Sequence, residues 1–257
     1  MSIDRLAVID SKADIDESVT IGPYSVIGPN VSIAANTWIG PHVVINGPTK
    51  IGANNQIFQF SSIGEIPQDK KFHNEKSFLE IGEGNTIREF VTINRGTEHG
   101  GGITKVGNNN WLMAYIHIAH DCIVGNNVVF SNNATLAGHV TIGNGTILGG
   151  FTLVHQFCAI GNNVFTAMGS SISKDVPPYL MVSGTPAHPC GINSEGLKRL
   201  DLPSDVVKNI KTVYKHLYRT GLSFEDAKKE IEKISNNCEE VKIMYDFLQN
   251  SKRSILR

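Results

Sequence analysis

Four histidines, His117, His120, His139 and His155, lie between positions 117 and 155, and Asp121 directly follows the second of them. A neutral imidazole beside a carboxylate removes a proton from an alcohol near neutral pH. The backbone N–H of Gly138, with no side chain in the way, is suited to stabilise the oxyanion formed when an alkoxide attacks a carbonyl. Together these groups would serve acyl transfer from a thioester to a hydroxyl. They can cooperate only if the fold stacks residues 18 positions apart, as His120 and Gly138 are.

A six-residue period supplies that stacking. Ile3, Ile9, Ile15, Ile21, Ile27, Ile33, Ile39, Ile45, Ile51, Ile57 and Ile63 form an unbroken series. It resumes at Ile81, Ile87 and Ile93. After a one-residue phase shift it runs from Val106 through Leu112, Ile118, Val124, Phe130, Leu136, Ile142, Leu148 and Val154 to Ile160, and only Thr166 breaks it before Ile172. An amphipathic helix gives no such period. The pattern predicts a mainly β chain, a left-handed parallel β-helix of hexapeptide repeats over residues 1–190. Each hexapeptide is one strand and one corner, and three close a triangular coil. The aliphatic residue points inward, and the small residue or Gly that follows suits the corner.

Successive coils lie about 4.8 Å apart, one strand spacing. His120 then lies under Gly138, with Gln156 one coil further on, and Asp121 lies under His139 and Phe157. These columns are expected to face outward as one polar patch on the prism wall. A flat wall encloses no substrate, so a neighbouring subunit is expected to complete the site. Cys122 and Cys158, two coils or about 9.6 Å apart, are too distant for a disulfide. The four cysteines show no paired spacing, which fits a reducing cytoplasm. His117 and His120 do not have the spacing of a known histidine zinc site on this scaffold, so no metal is expected.

Two polar, Gly-rich stretches, 65–80 and 95–105, interrupt the period and read as loops thrown out from the prism, where function often resides. Beyond Asp175-Val176-Pro177-Pro178 helical spacing takes over. Val206, Ile210, Val213 and Leu217 share a helix face, Gly221 stops that helix, and Ser223-Phe224-Glu225-Asp226 has the form of a capping box for the next. A segment over about 239–251 completes a small helical domain, 191–257, expected to cap the open end of the prism. The chain holds 23 basic and 24 acidic residues, a balance that argues against a nucleic-acid partner. The tail from 191 is its cationic part, with 13 basic and 10 acidic residues. No stretch approaches the roughly 20 apolar residues of a membrane span, so no membrane insertion is expected.

Several strings closely resemble the bacterial UDP-N-acetylglucosamine O-acyltransferases that begin lipid A synthesis. They include Ser62-Ile63-Gly64-Glu65, Asn94-Arg95-Gly96-Thr97, His117-Ile118-Ala119-His120-Asp121-Cys122, Val154-His155-Gln156-Phe157 and Glu195-Gly196-Leu197-Lys198-Arg199. The run from Asn132 to Val140 belongs with them, and the resemblance covers essentially the whole chain. It implies transfer of an (R)-3-hydroxyacyl group from acyl carrier protein to the 3-hydroxyl of UDP-N-acetylglucosamine by a cytoplasmic homotrimer, with no cofactor beyond the carrier thioester. It makes His120 the general base, supported by Asp121, with the Gly138 N–H on the oxyanion. It places Gln68, Asp69, Lys71, His117, His139, His155 and Gln156 along the acceptor and acyl sites. It brings Asn193, Glu195 and Arg199 to the nucleotide from the adjacent subunit.

Two departures stand out. Leu200 follows Arg199 where some relatives have a second arginine for the diphosphate. Met168 occupies the position of the acyl-chain ruler, where long-chain enzymes carry Gly, and so implies a shorter donor. Lys198, Arg199, Lys208, Lys211, Lys215 and Arg219 suit docking of an acidic carrier protein. The competing readings are a sister N-acyltransferase, a coenzyme A-dependent sugar acetyltransferase, and a non-catalytic trimeric scaffold.

Overall fold

The computed structural model describes residues 2–257. Its main body is the left-handed β-helix, three sheets of 11, 9 and 8 strands on the faces of a triangular prism. Most strands are two residues long, a β-branched or polar residue followed by the inward aliphatic one, as in Thr20–Ile21 and His117–Ile118. Ile21, Ile39, Ile57, Ile87, Leu112 and Phe130 stack up the interior, each at most 1 % exposed. Thr166, the break in the aliphatic series, also points inward, and its hydroxyl is satisfied by Thr152 Oγ1 at 2.7 Å and by the Gly149 N–H. Burying each aliphatic side chain contributes about 1.5–3 kcal/mol. Phe130 fills the prism where its neighbours are leucines, Leu112 below and Leu148 above. Phe130→Ala is expected to cost about 3–5 kcal/mol, read as a lowered urea midpoint with an unchanged slope.

The register determines where the two insertions emerge. Ile21 pairs with Ile39 and Ile118 with Leu136, both 18 positions apart. Across the first insertion Ser62 pairs with Thr92, 30 apart, and across the second Ile93 pairs with Ile118, 25 apart, so the insertions add 12 and 7 residues. Both leave the same corner of the prism, between the 9-stranded and 8-stranded sheets. On the next three coils that corner carries His120-Asp121, Gly138-His139 and Gln156-Phe157. The strands Phe78–Ile81 and Ile103–Val106 begin inside the stretches read as loops, because Leu79 and Thr104 supply a further buried side chain each. The loops therefore close at 77 and 102.

Corner residues adopt positive φ, which Asn tolerates better than most. At the corner between the 8- and 11-stranded sheets Asn109, Asn127, Gly145 and Asn163 hold the positive φ, and the asparagine before each belongs to a ladder. The Asn126 side chain accepts the N–H of Asn108, Asn144 that of Asn126, and Asn162 that of Asn144, at 2.7–2.9 Å. The corner between the 11- and 9-stranded sheets uses rings instead. Tyr24, His42, Phe60, Phe90 and Tyr115 stack in a continuous exposed ladder with centroids 4.7–5.4 Å apart.

Above the last coil, Leu180–Gly184 and Ala187–Ile192 form an antiparallel hairpin that extends the 11-stranded sheet. The periodicity gave no sign of it, and extended structure thus continues to Ile192 rather than 190. Four helices follow: α1 Ser194–Arg199, α2 Ser204–Tyr218, α3 Phe224–Ser235 and α4 Glu239–Asn250. Ile210, Val213 and Leu217 are the buried face of α2, and Ser223 caps α3 by accepting the Asp226 N–H. The last residues return to the prism. Asp175, 2 % exposed, accepts hydrogen bonds from the Ala159 N–H and the Ser251 hydroxyl at 2.8 and 2.7 Å, and Leu256 packs into the β-helix core. None of the helices is long and apolar enough to cross a membrane.

Candidate active site

At the corner shared by the two insertions lies a cleft of about 840 Å³. Gln68, Asp69 and Lys71 of the first loop form one wall, and His120, His139 and Gln156 of the successive coils form the other. The stacking inferred from the 18-residue period is present. The His139 N–H donates to the His120 carbonyl, and the Phe157 N–H to the Gly138 carbonyl, at 3.0 and 3.1 Å. His120 lies directly over Gly138, where a Cβ would come within 2.5 Å of its Cε1 and 2.7 Å of its Nε2. Among the described residues the Gly138 N–H has no hydrogen-bond acceptor.

His120 Nδ1 lies 2.8 Å from Asp121 Oδ2. A carboxylate only accepts, so Nδ1 carries a proton, and in the neutral ring the lone pair is on Nε2, the atom beside Gly138. His139 packs edge-on to His120 with centroids 5.1 Å apart, and stacks on Phe157 at 4.4 Å. Burial, helped by the neighbouring His120, outweighs the attraction of Asp121 and Asp69 and holds the His139 ring below its ordinary pKa. His117 is lowered too, by burial and then by His120, and its Nδ1 lies 2.7 Å from Thr92 Oγ1 on the adjacent strand. Both rings are therefore biased toward the neutral form.

The position of Asp121 differs from the expectation of an outward patch. Its side chain is wholly buried, because the second loop folds over it. The Thr97 N–H donates to Oδ1 at 2.8 Å and the Thr97 hydroxyl to Oδ2 at 2.6 Å. Burial alone would raise the Asp121 carboxyl, but the hydrogen bonds from His120 and from the Thr97 side chain and backbone, with a lesser electrostatic pull from His139 when that ring is protonated, hold it below its ordinary value. The run Gly100-Gly101-Gly102 has a local reason. A Cβ on Gly100 would lie 2.0 Å from Asp121 Cγ, while Gly101 and Gly102 turn the chain at φ 98° and 79°. His120, Asp121 and His139 could converge on one metal ion, their ligand atoms lying within 4.8 Å of one another. The Asp121 oxygens, however, are already engaged by Thr97 and His120.

Other expected residues stand elsewhere on this chain. His155 is exposed beside the cleft, its Nδ1 3.1 Å from the Gln156 carbonyl. Asn193 caps α1 and donates to the Asn163 carbonyl, so Asn193, Glu195 and Arg199 belong to the asparagine corner. Glu195 pairs there with Lys198 at 2.8 Å. Met168, 78 % exposed, lies on the corner of the ring ladder, its Cγ 3.9 Å from where a Gly150 Cβ would be. Conversely, Asn94, Thr97 and His99 reach the cleft although the period did not single them out, and Arg253 of the tail donates to the Gln156 carbonyl at 2.9 Å. The two loops could have been placed from the register alone, since both insertions fall between the same pair of sheets. The approach of Arg253 has no local signal.

Comparison with known proteins identifies the family. Residues 103–138 match the bacterial transferase hexapeptide family, and residues 175–256 match domain 2 of the UDP-N-acetylglucosamine O-acyltransferases. The acyl-[acyl-carrier-protein]–UDP-N-acetylglucosamine O-acyltransferase of Neisseria gonorrhoeae is 57 % identical over 98 % of this chain and 97 % of its own. The crystal structure of the UDP-N-acetylglucosamine O-acyltransferase of Moraxella catarrhalis superposes with a TM-score of 0.98 at 45 % identity, covering 100 % of both chains. That of the UDP-N-acetylglucosamine acyltransferase of Francisella novicida gives 0.98 at 44 %, covering 99 % of this chain and 94 % of its own. With relatives this similar along its full length, and with the hexapeptide prism that carries the site, the chain belongs to the UDP-N-acetylglucosamine O-acyltransferase family.

Proposed function

We propose that the protein transfers an (R)-3-hydroxyacyl group from acyl carrier protein to the 3-hydroxyl of UDP-N-acetylglucosamine, the first step of lipid A synthesis. The observation that carries this reading is the Asp121–His120 pair with its free Nε2 over Gly138, inside the cleft. Nε2 takes the proton of the sugar 3-hydroxyl as the oxygen attacks the thioester carbonyl. The Gly138 N–H donates to the oxyanion, and Asp121 stabilises the imidazolium. Collapse of the tetrahedral intermediate forms the ester, breaks the C–S bond and returns the proton from His120 to the carrier thiolate. No cofactor takes part. Gln68, Asp69 and Lys71 hold the acceptor, with His117, His139, His155 and Gln156 along the reacting groups.

A homotrimer fits two features of the single chain. Its exposed ring ladder would be covered, and the asparagine corner with Asn193, Glu195 and Arg199 would reach a neighbour's cleft and bind the nucleotide there. Arg199 suits a diphosphate by its planar fork of donors, with Leu200 beside it contributing none. Lys208, Lys211 and Lys215 recur at helical spacing as an exposed stripe on α2, continued by Arg219 at its C-cap, which favours an acidic carrier protein. Unpaired thiols, Cys190 exposed and Cys122 and Cys158 buried and pushed up to about 12 and about 11 by desolvation, suit the cytoplasm. The N-acyltransferase and scaffold alternatives gain no support from the relatives named above.

The test is purified protein with UDP-N-acetylglucosamine and a ladder of 3-hydroxyacyl carrier proteins, the products identified by mass spectrometry. A UDP-3-O-acyl sugar is expected, and its absence with every donor would refute the reading. In the same assay Met168→Gly should move the preferred donor to a longer chain, because this exposed side chain would block the end of an acyl groove completed by a neighbouring subunit. A variant that kept the wild-type donor would remove Met168 from that role.

A further inference from the structure

The Asp121 carboxylate has two histidines within reach, His120 Nδ1 at 2.8 Å and His139 Nε2 at 3.7 Å from the same Oδ2. Only the pairing with His120 leaves a lone pair beside Gly138, so something must decide between them. We propose that Thr97 is the positioning residue that makes this choice, fixing the Asp121 carboxylate toward His120. The inference rests on the reading of His120 as the general base.

The direction of every hydrogen bond in the cluster is determined. Asp121 only accepts, so the Thr97 hydroxyl must give its proton to Oδ2, and its own lone pair takes the Gly100 N–H at 3.2 Å. The Thr97 N–H binds Oδ1 at 2.8 Å, so a single residue grips both oxygens and sets the plane of the carboxylate. The Asp121 N–H is held in turn by Thr104 Oγ1 at 2.8 Å, just after the same loop. Thr97 is 4 % exposed and the Asp121 side chain is fully buried, so the carboxylate depends on protein donors rather than on bulk water. Further ionisable groups near this pair are His117 beside His120, Asp69 beside His139, Cys122 next to Asp121 and His99 on the same loop as Thr97, and none of them hydrogen-bonds the Asp121 carboxylate. Removing the hydroxyl therefore frees Oδ2 to turn toward His139.

Thr97→Val keeps the shape and the backbone N–H but deletes the donor. A hydrogen bond to a charged group of this kind is worth a factor of about ten or more in rate when the group acts in the transition state. The expected result is a kcat lowered about tenfold with KM for UDP-N-acetylglucosamine changed less than about twofold. Thr97→Ser, which retains the hydroxyl, should restore kcat, and this covers the case in which Val disturbs the loop. In an Asp121→Asn background Thr97→Val should have no further effect, because both changes act through one carboxylate. NMR of protein labelled with ¹⁵N-histidine should show the His120 proton on Nδ1 in the parent and shared between the two nitrogens in Thr97→Val. Full kcat in Thr97→Val beside a loss in Asp121→Asn would overturn the positioning role alone. So would a Thr97→Val effect that multiplies in full onto Asp121→Asn. Full activity in Asp121→Asn would overturn both this inference and the catalytic reading beneath it.

Discussion

Replacing His120 by Ala is expected to lower kcat/KM by about 10³-fold, roughly 4 kcal/mol of transition-state stabilisation. His120 is the one imidazole here that combines a carboxylate on Nδ1 with an Nε2 above an unengaged backbone N–H. His139 stacks on Phe157, and His117 Nδ1 is taken by Thr92, so neither substitutes for it. Folding should be little affected, since the His120 ring contributes nothing to the aliphatic stack inside the prism. Steady-state kinetics with a 3-hydroxyacyl carrier protein, alongside a thermal unfolding curve, separates the two effects. A variant with wild-type turnover would remove His120 from the general-base role.

Gly138→Ala is expected to be almost as damaging, about 10²-fold in kcat/KM, for a different reason. Gly138 does not use positive φ, so its backbone accepts Ala without strain. The added methyl would instead meet the His120 ring at 2.5–3.1 Å, contacts that real Cβ atoms do not sustain. The ring has to swing away, which misplaces Nε2 and weakens its hold on Asp121, while the backbone N–H proposed for the oxyanion is kept. The melting temperature should fall by no more than a few degrees. If Gly138→Ala retained full activity, His120 could not be working from the position it occupies over that glycine.

The candidate catalytic corner uses the left-handed conformation that the other corners of the prism also use. Asp121, His139 and Phe157 all sit at φ between 61° and 66°, a region costly for residues other than Gly and Asn. They stay there because the ladder bonds of the coils above and below leave no alternative. The prism thus supplies rigid positions one strand spacing apart, and the two insertions cover them. Pre-organisation of this kind is what an acyl transfer needs, since the base, the oxyanion donor and the supporting carboxylate must be in place before the substrates arrive.

The sequence alone determined the coil, its inward residues, and the vertical pairing of His120 with Gly138 and of Asp121 with His139. All of these follow from a repeat whose geometry is local, so counting by eighteens reproduces the register wherever the period is unbroken. Resemblance supplied the expected reaction, and the comparisons show the family. Only the tertiary structure decided how deep Asp121 lies, since its burial depends on Thr97 and Gly100, which meet it across an insertion that the period cannot align. The same holds for the hairpin over 180–192 and for the return of the tail, where Asp175 meets Ser251 76 positions later. Contacts of that range are set by how irregular segments pack on the finished prism, and no repeat encodes them. The six-residue rhythm therefore specified where His120 would stand, and the loops that interrupt it specified what buries the carboxylate beside it.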